Sequence, residues 1–179
     1  MEILFTRVDH RDVRASVTRS DGVTLSVPVY GHLDPLPHDL AHYVVERHMG
    51  LPDGFWGTIA AGGIFRGMRV AAGRQPPHAA ERSKAIIRAN VSAIGLAEQV
   101  VGNVTGVLDG EPVRELPLSD HPRTPRSRAD YHTVITSLIP HVEEMIGRWQ
   151  QVPVGGEMCV QWPEAGRRRA TRLAHVGGD

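Results

Sequence analysis

Val13-Arg14-Ala15-Ser16-Val17-Thr18 and, a few positions on, Val23-Thr24-Leu25-Ser26-Val27 alternate apolar and polar side chains with a period of two. An extended strand sends successive side chains to opposite faces, so each stretch offers one face to a core and the other to water. That is the pattern of half-buried antiparallel strands, and it extends over residues 2–29. Asp21-Gly22 lies between the two runs and predicts a two-residue hairpin turn, because glycine accepts positive φ. Pro28 has no N–H to give a ladder and belongs at a strand end or a sheet edge. Far downstream, Glu157-Met-Cys-Val-Gln-Trp162 alternates again and is expected to return to the N-terminal sheet. The intervening sequence has a helical period. Strands and helices in separate runs give an α+β fold: a small antiparallel meander plus a C-terminal strand, packed against a long antiparallel helix pair and a shorter histidine-rich helix.

The shorter helix begins at Leu36-Pro37-His38-Asp39, where proline suits the first turn and Asp39 can face the free N–H groups. It should run to about Met49, with Gly50 placed to stop it and Pro52 unable to extend it. Gly54-Phe55-Trp56-Gly57 reads as a short glycine-interrupted helix or an ordered loop. The first long helix carries Ile87, Ile94, Ala97, Val101, Val104 and Leu108 at spacings of three, four and seven, one apolar stripe. The second carries Tyr131, Ile135, Leu138, Val142, Met145 and Trp149 in the same rhythm, with Pro140 expected to kink it. Residues 109–126 between them are polar, contain prolines and exceed a minimal helical hairpin loop, which makes them a candidate flap.

A chain of 179 residues fits one domain, read as residues 1–162, followed by an arginine-rich tail, 163–179, expected to be disordered. Twenty basic residues balance twenty acidic ones, so net charge argues for neither nucleic acid nor membrane as partner. Cys159 is the only cysteine, which rules out an intrachain disulfide and CxxC metal or redox motifs and points to a reducing, cytoplasmic home. Its apolar strand suggests a buried thiol. The start lacks a basic leader region, and no 18 apolar residues stand in succession.

Chemistry concentrates on the first helix. Four of the ten histidines, His32, His38, His42 and His48, fall within 17 residues. In His38-Asp39-Leu40-Ala41-His42 the imidazoles are four apart and project from one helical face, the spacing by which a helix offers two ligands to zinc. Glu46 is rotated by about 80° from His38 at about 100° per residue, so it can be imagined as a third ligand. Other ligands would have to come from positions such as His78, His121, His132, His141 or Glu143. The zinc-protease motif has glutamate where Asp39 stands, and aspartate is one methylene shorter, which argues against a competent peptidase. Ten histidines in this length give about half of one HxxxH pair by chance, and the bland reading has His42 simply packed beside Val45 and Met49. Against that reading, apolar residues flank the helix on both sides, so it is contacted all round. His38 also lies at the positive helix end, which disfavours its protonation and keeps it available as ligand or base.

Tyr43, Phe55 and Trp56 are candidates to wall a pocket beside this helix, the glycines around the last two permitting close approach. Arg167, Arg168, Arg169 and Arg172 could bind phosphate, but no aromatic residues are interleaved with them, which favours a solvated tail. No GxSxG elbow, Walker A loop, GxGxxG fingerprint or EF-hand loop is present. The block from Leu36 through Glu46, followed by Gly50 to Gly57, resembles one that recurs in small uncharacterised bacterial proteins. It carries no known activity, and the resemblance implies only that the histidine helix and the Phe-Trp turn form one unit.

The leading expectation is a non-enzymatic protein that binds a small molecule or a protein partner, homodimers included, through the histidine helix and the Phe-Trp turn. The alternative is a metal-dependent hydrolase of the zinc type, with His38 and His42 as ligands and Asp39 or Glu46 as acid/base. A weak nucleic-acid binder acting through the arginine tail stands third.

Overall fold

The computed structural model describes residues 1–28, 35–115 and 119–163, so His32 and the arginine-rich tail lie outside the described residues. The alternating stretches form the sheet. Strands β1 (Glu2–Arg7), β2 (Val13–Thr18), β3 (Thr24–Val27), β4 (Arg69–Ala72) and β5 (Glu157–Gln161) order as β4-β3-β2-β1-β5, every neighbour antiparallel. Ile3 stands opposite both Val17 and Val160, Phe5 opposite both Ala15 and Met158, and Val17 opposite Leu25, and all of these are buried. A shift of one residue would carry the set to the polar face, so burial fixes the register.

The β2–β3 connection is a three-residue loop, not the expected two-residue turn. The Arg19 N–H donates to the Val23 carbonyl at 3.0 Å, and Gly22 sits at φ +80°. The left-handed glycine is what a three-residue hairpin needs at its last position. β4 was not expected at all. All four of its residues are exposed, and an edge strand without a buried face leaves no alternation to read. Cys159 faces outward on β5, correcting the expectation of a buried thiol: Met158 and Val160 take the core side of that strand.

Helix α1 (His38–Met49) ends as its sequence indicates, with Gly50 left-handed at φ +63°. Asp39, Leu40, Ala41, His42, Val44, Val45 and Glu46 are all buried, so the helix is indeed enclosed on both sides, and it packs against α4 and α5. Gly54-Phe-Trp-Gly57 opens a short helix, α2 (Phe55–Ala60). The first long helix is in fact two, α3 (Ala79–Ala89) and α4 (Val91–Leu108). The break falls at Asn90, whose amide donates to the Thr58 hydroxyl at 2.9 Å and so ties the junction to α2. With the break, Ile87, Ile94 and Leu108 are only half-buried, and the core face of α4 is Leu96, Ala97, Val100, Val101 and Val104. By length and composition α4 is apolar enough to cross a membrane; here it packs against α1 and α5. Helix α5 (Arg128–Gln150) buries all six residues of its predicted seam and runs on through Pro140. Sheet and helices share one hydrophobic cluster, from Ile3 and Phe5 to Trp149.

A histidine–carboxylate cluster on a cavity wall

Two helices bring the functional side chains together. His38 and His42 come from adjacent turns of α1, and Glu98 comes from α4, which packs across it. Three atoms converge: His38 Nε2 and His42 Nε2 are 3.2 Å apart, Glu98 Oε2 is 3.2 Å from the first, and it is 3.3 Å from the second. A tetrahedron with metal–ligand bonds of about 2.0 Å has edges of about 3.3 Å, so this triangle has the dimensions of one face of a zinc-type coordination shell. His38, His42 and Glu98 are therefore a group that could hold a metal ion.

The other nitrogen of His42 is fixed from behind. Its Nδ1 lies 3.0 Å from Glu46 Oε1, and both residues are buried, each only 1% exposed. Glu46 is fixed in turn by the start of α2: the Phe55 N–H donates to Oε1 at 2.9 Å and the Trp56 N–H to Oε2 at 3.1 Å. A carboxylate at a helix N-terminus is favoured by the free N–H groups and the helix dipole together. Gly54 is the residue that allows it, since a Cβ there would come within 2.5 Å of the Glu46 carboxyl carbon. Both oxygens of ionised Glu46 can only accept hydrogen bonds, so His42 carries a proton on Nδ1 and presents Nε2 toward His38 and Glu98. A carboxylate–histidine pair of this kind orients a metal-ligating imidazole and raises its basicity.

The electrostatics agree. Burial opposes charge on His42, but the hydrogen bonds to Glu46 and Glu98 and the charges of both carboxylates outweigh it and push the imidazole up to about 9. Hydrogen bonds from His38 and His42 hold Glu98 well below the usual carboxylate range. Burial pushes Glu46 up, while His42 and the two amide N–H groups pull it back. The cluster is a pair of imidazoles between two carboxylates, a charge pattern that a divalent cation can replace by displacing protons.

His38, Asp39 and Glu98 also line a cavity of about 360 Å³. Its other walls are apolar, from Phe55, Phe65, Met68, Ile94 and Pro28, with Arg66 as the one cationic lining residue. The Phe55 and Phe65 rings stack at 5.1 Å between centroids. Asp39 is 8% exposed, and its Oδ2 is buried without a hydrogen-bond partner among the described residues. Burial pushes its carboxyl up to about 6, against the pull of His42 and His38 and with the help of Glu98 and Glu46.

The residues picked from sequence divide clearly. His38, Asp39 and Phe55 line the cavity, and His42 joins His38 and Glu98 without lining it. Glu46 lies behind the cluster as the partner of His42 and the cap of α2, not as a third ligand or a proton carrier at the cavity. Trp56 is a core anchor: fully buried, it packs edge-on against Phe5 and donates its indole N–H to the Asp39 carbonyl at 2.9 Å. Tyr43 lies elsewhere, its hydroxyl on the Gln161 carbonyl and its ring against Trp162. None of the suggested further ligands arrives. His121 pairs with Asp53 at 3.2 Å, His141 stacks on His48 at 3.6 Å, and His78 precedes α3. The described parts of the 109–126 segment are pinned beside α1 and α2 through His121 and Arg123 and do not line the cavity. Glu98 was missed, although one signal marks it: it is the only charged residue in the 18 positions of α4. No family model, no curated protein and no solved structure matches the chain.

Proposed function

We propose that the protein is a metal-dependent hydrolase of small molecules, with a divalent cation of the zinc type held by His38, His42 and Glu98. The observation that carries the reading is the near-equilateral triangle of donor atoms, with His42 oriented by a buried carboxylate. Two histidines and one carboxylate leave a fourth position free, the arrangement of catalytic rather than structural zinc. Two of the three residues that would hold the ion, His38 and Glu98, line the cavity. A metal held there would supply Lewis acidity for polarising a carbonyl and activating water.

Asp39 is the base that this cavity offers. It follows the first histidine directly, as the catalytic glutamate does in zinc peptidases. Asp39 lines the cavity, and its buried Oδ2 has no hydrogen-bond partner among the described residues. Asp39 would take a proton from water as the hydroxide adds to the acyl carbon, then pass it to the leaving nitrogen or oxygen as the acyl bond breaks. The cavity is at the small end of the range for ligand sites, which favours a small molecule over a folded partner.

Elemental analysis of tag-free protein tests the reading, with His42→Ala and Glu98→Gln alongside. One equivalent of zinc or another transition metal in the wild type, lost in both variants, is the expected result. Wild-type protein that is free of metal and fails to take up added zinc would overturn it. The cavity would then be a plain small-molecule site, the non-enzymatic alternative.

A further inference from the structure

From the cavity wall we infer the substrate class: a monoanionic carboxylate on an apolar body, with Arg66 as the residue that receives the carboxylate. The inference rests on the metal reading above, because it takes the reacting carbonyl to lie at His38, His42 and Glu98. Arg66 is exposed, lines the cavity, and forms no ion pair or hydrogen bond with any described residue. Several arginines are engaged elsewhere, Arg7 with the Trp149 carbonyl, Arg19 with Asp21 and Arg114 with Glu111, but Arg66 is the one that lines this cavity. A guanidinium with no partner among the described residues, beside an apolar cavity, offers a planar fork of donors, which fits a carboxylate in two parallel hydrogen bonds.

The remaining lining restricts the partner further. The Phe55 ring lies 5.7 Å from that of His42 and stacks on Phe65, the chain neighbour of Arg66, and with Met68 and Ile94 these rings give the cavity an apolar lining from the cluster toward the arginine. A substrate must therefore carry hydrocarbon between its anionic end and its reacting bond. Asp39 and Glu98 add negative charge to the same walls and would repel a doubly charged phosphate more strongly than a singly charged carboxylate. Amides or esters of hydrophobic acids bearing a free carboxylate satisfy all three constraints.

The test uses 3-phenylpropionate and its uncharged amide as probes, titrated calorimetrically into zinc-loaded wild-type, Arg66→Gln and Phe65→Ala protein, with zinc content measured in each. In wild type the carboxylate should bind about tenfold more tightly than the amide, a difference of about 1.4 kcal/mol. Arg66→Gln should erase that preference while leaving the zinc content at one, and Phe65→Ala should weaken both probes together. Equal binding of the two probes to wild type would overturn the inference. So would a preference that survives in Arg66→Gln, which would put the carboxylate on the metal. A wild type that takes up no zinc would instead overturn the metal reading itself, an outcome the zinc content separates from the other two.

Discussion

Glu46→Ala is the most informative single perturbation of this protein. Glu46 is 1% exposed and accepts three hydrogen bonds, from His42 Nδ1 and from the Phe55 and Trp56 N–H groups. Truncation leaves the imidazole of His42 without its partner and two N–H groups at a helix start without an acceptor. Breaking a buried ionic pair from one side costs about 3–5 kcal/mol, and each orphaned N–H adds about 1–3 kcal/mol unless water enters. Since these effects overlap, a loss of about 4 kcal/mol is expected, which for a chain of this size lowers Tm by roughly 8–16 °C. Thermal unfolding followed by circular dichroism measures it. Glu46→Gln is the companion: its amide oxygen can still accept from one N–H, so about half the loss should return, yet zinc should bind about 10–100-fold more weakly because a carboxylate no longer orients His42. A Tm within about 2 °C of wild type for Glu46→Ala would refute the reasoning, since it would mean that the three donors find other acceptors.

Further outcomes follow from other contacts. Gly57→Ala places a Cβ on the Pro52 carbonyl oxygen, so it should destabilise by at least about 2 kcal/mol in urea unfolding, whereas Gly147→Ala, where a Cβ meets nothing, should be neutral or stabilising. Cys159 should react fully with a maleimide in the folded protein, only more slowly than a free thiol, because burial and the Glu2 charge raise its pKa. His48 is held below its ordinary pKa, first by partial burial and then by the charges of His141 and Arg47. Its neutral form is thus favoured by folding, so it contributes stability above about pH 6.5 that is lost as pH falls through its folded value. A Tm scan from pH 7.5 to pH 5 should be flatter in His48→Gln than in wild type.

How much was legible in the sequence depended on how far each contact reaches. Alternation in Val13 to Val27 and the seam from Tyr131 to Trp149 were readable because burial follows a local period there. β4 was not, because an edge strand with four exposed residues carries no such period. The break at Asn90 was hidden for another reason: the residue at the junction is held by a hydrogen bond to Thr58, 32 positions away. The site follows the same division. His38 and His42 share a helix face, so their pairing could be derived from spacing. Glu98 joins them across 60 positions, and only helix packing makes that meeting. Glu46 was recognised as important but given the wrong task, because its partners are backbone groups of Phe55 and Trp56, which a sequence does not display.

The place of β1 in the sheet has a consequence for synthesis. One edge of β1 pairs with β2 almost at once, but its other edge waits for β5, some 155 positions later, and the Met1 amino group reaches the Trp162 carbonyl only then. While the ribosome is still making α5, this interior strand is exposed along one side, open to any passing chain. All of α1, α2 and α4 has been made by that time. The proposed metal ligands and the cavity walls therefore emerge before the sheet can close, and on the metal reading ion capture during translation would add stability at the stage when the nascent chain is most prone to aggregate.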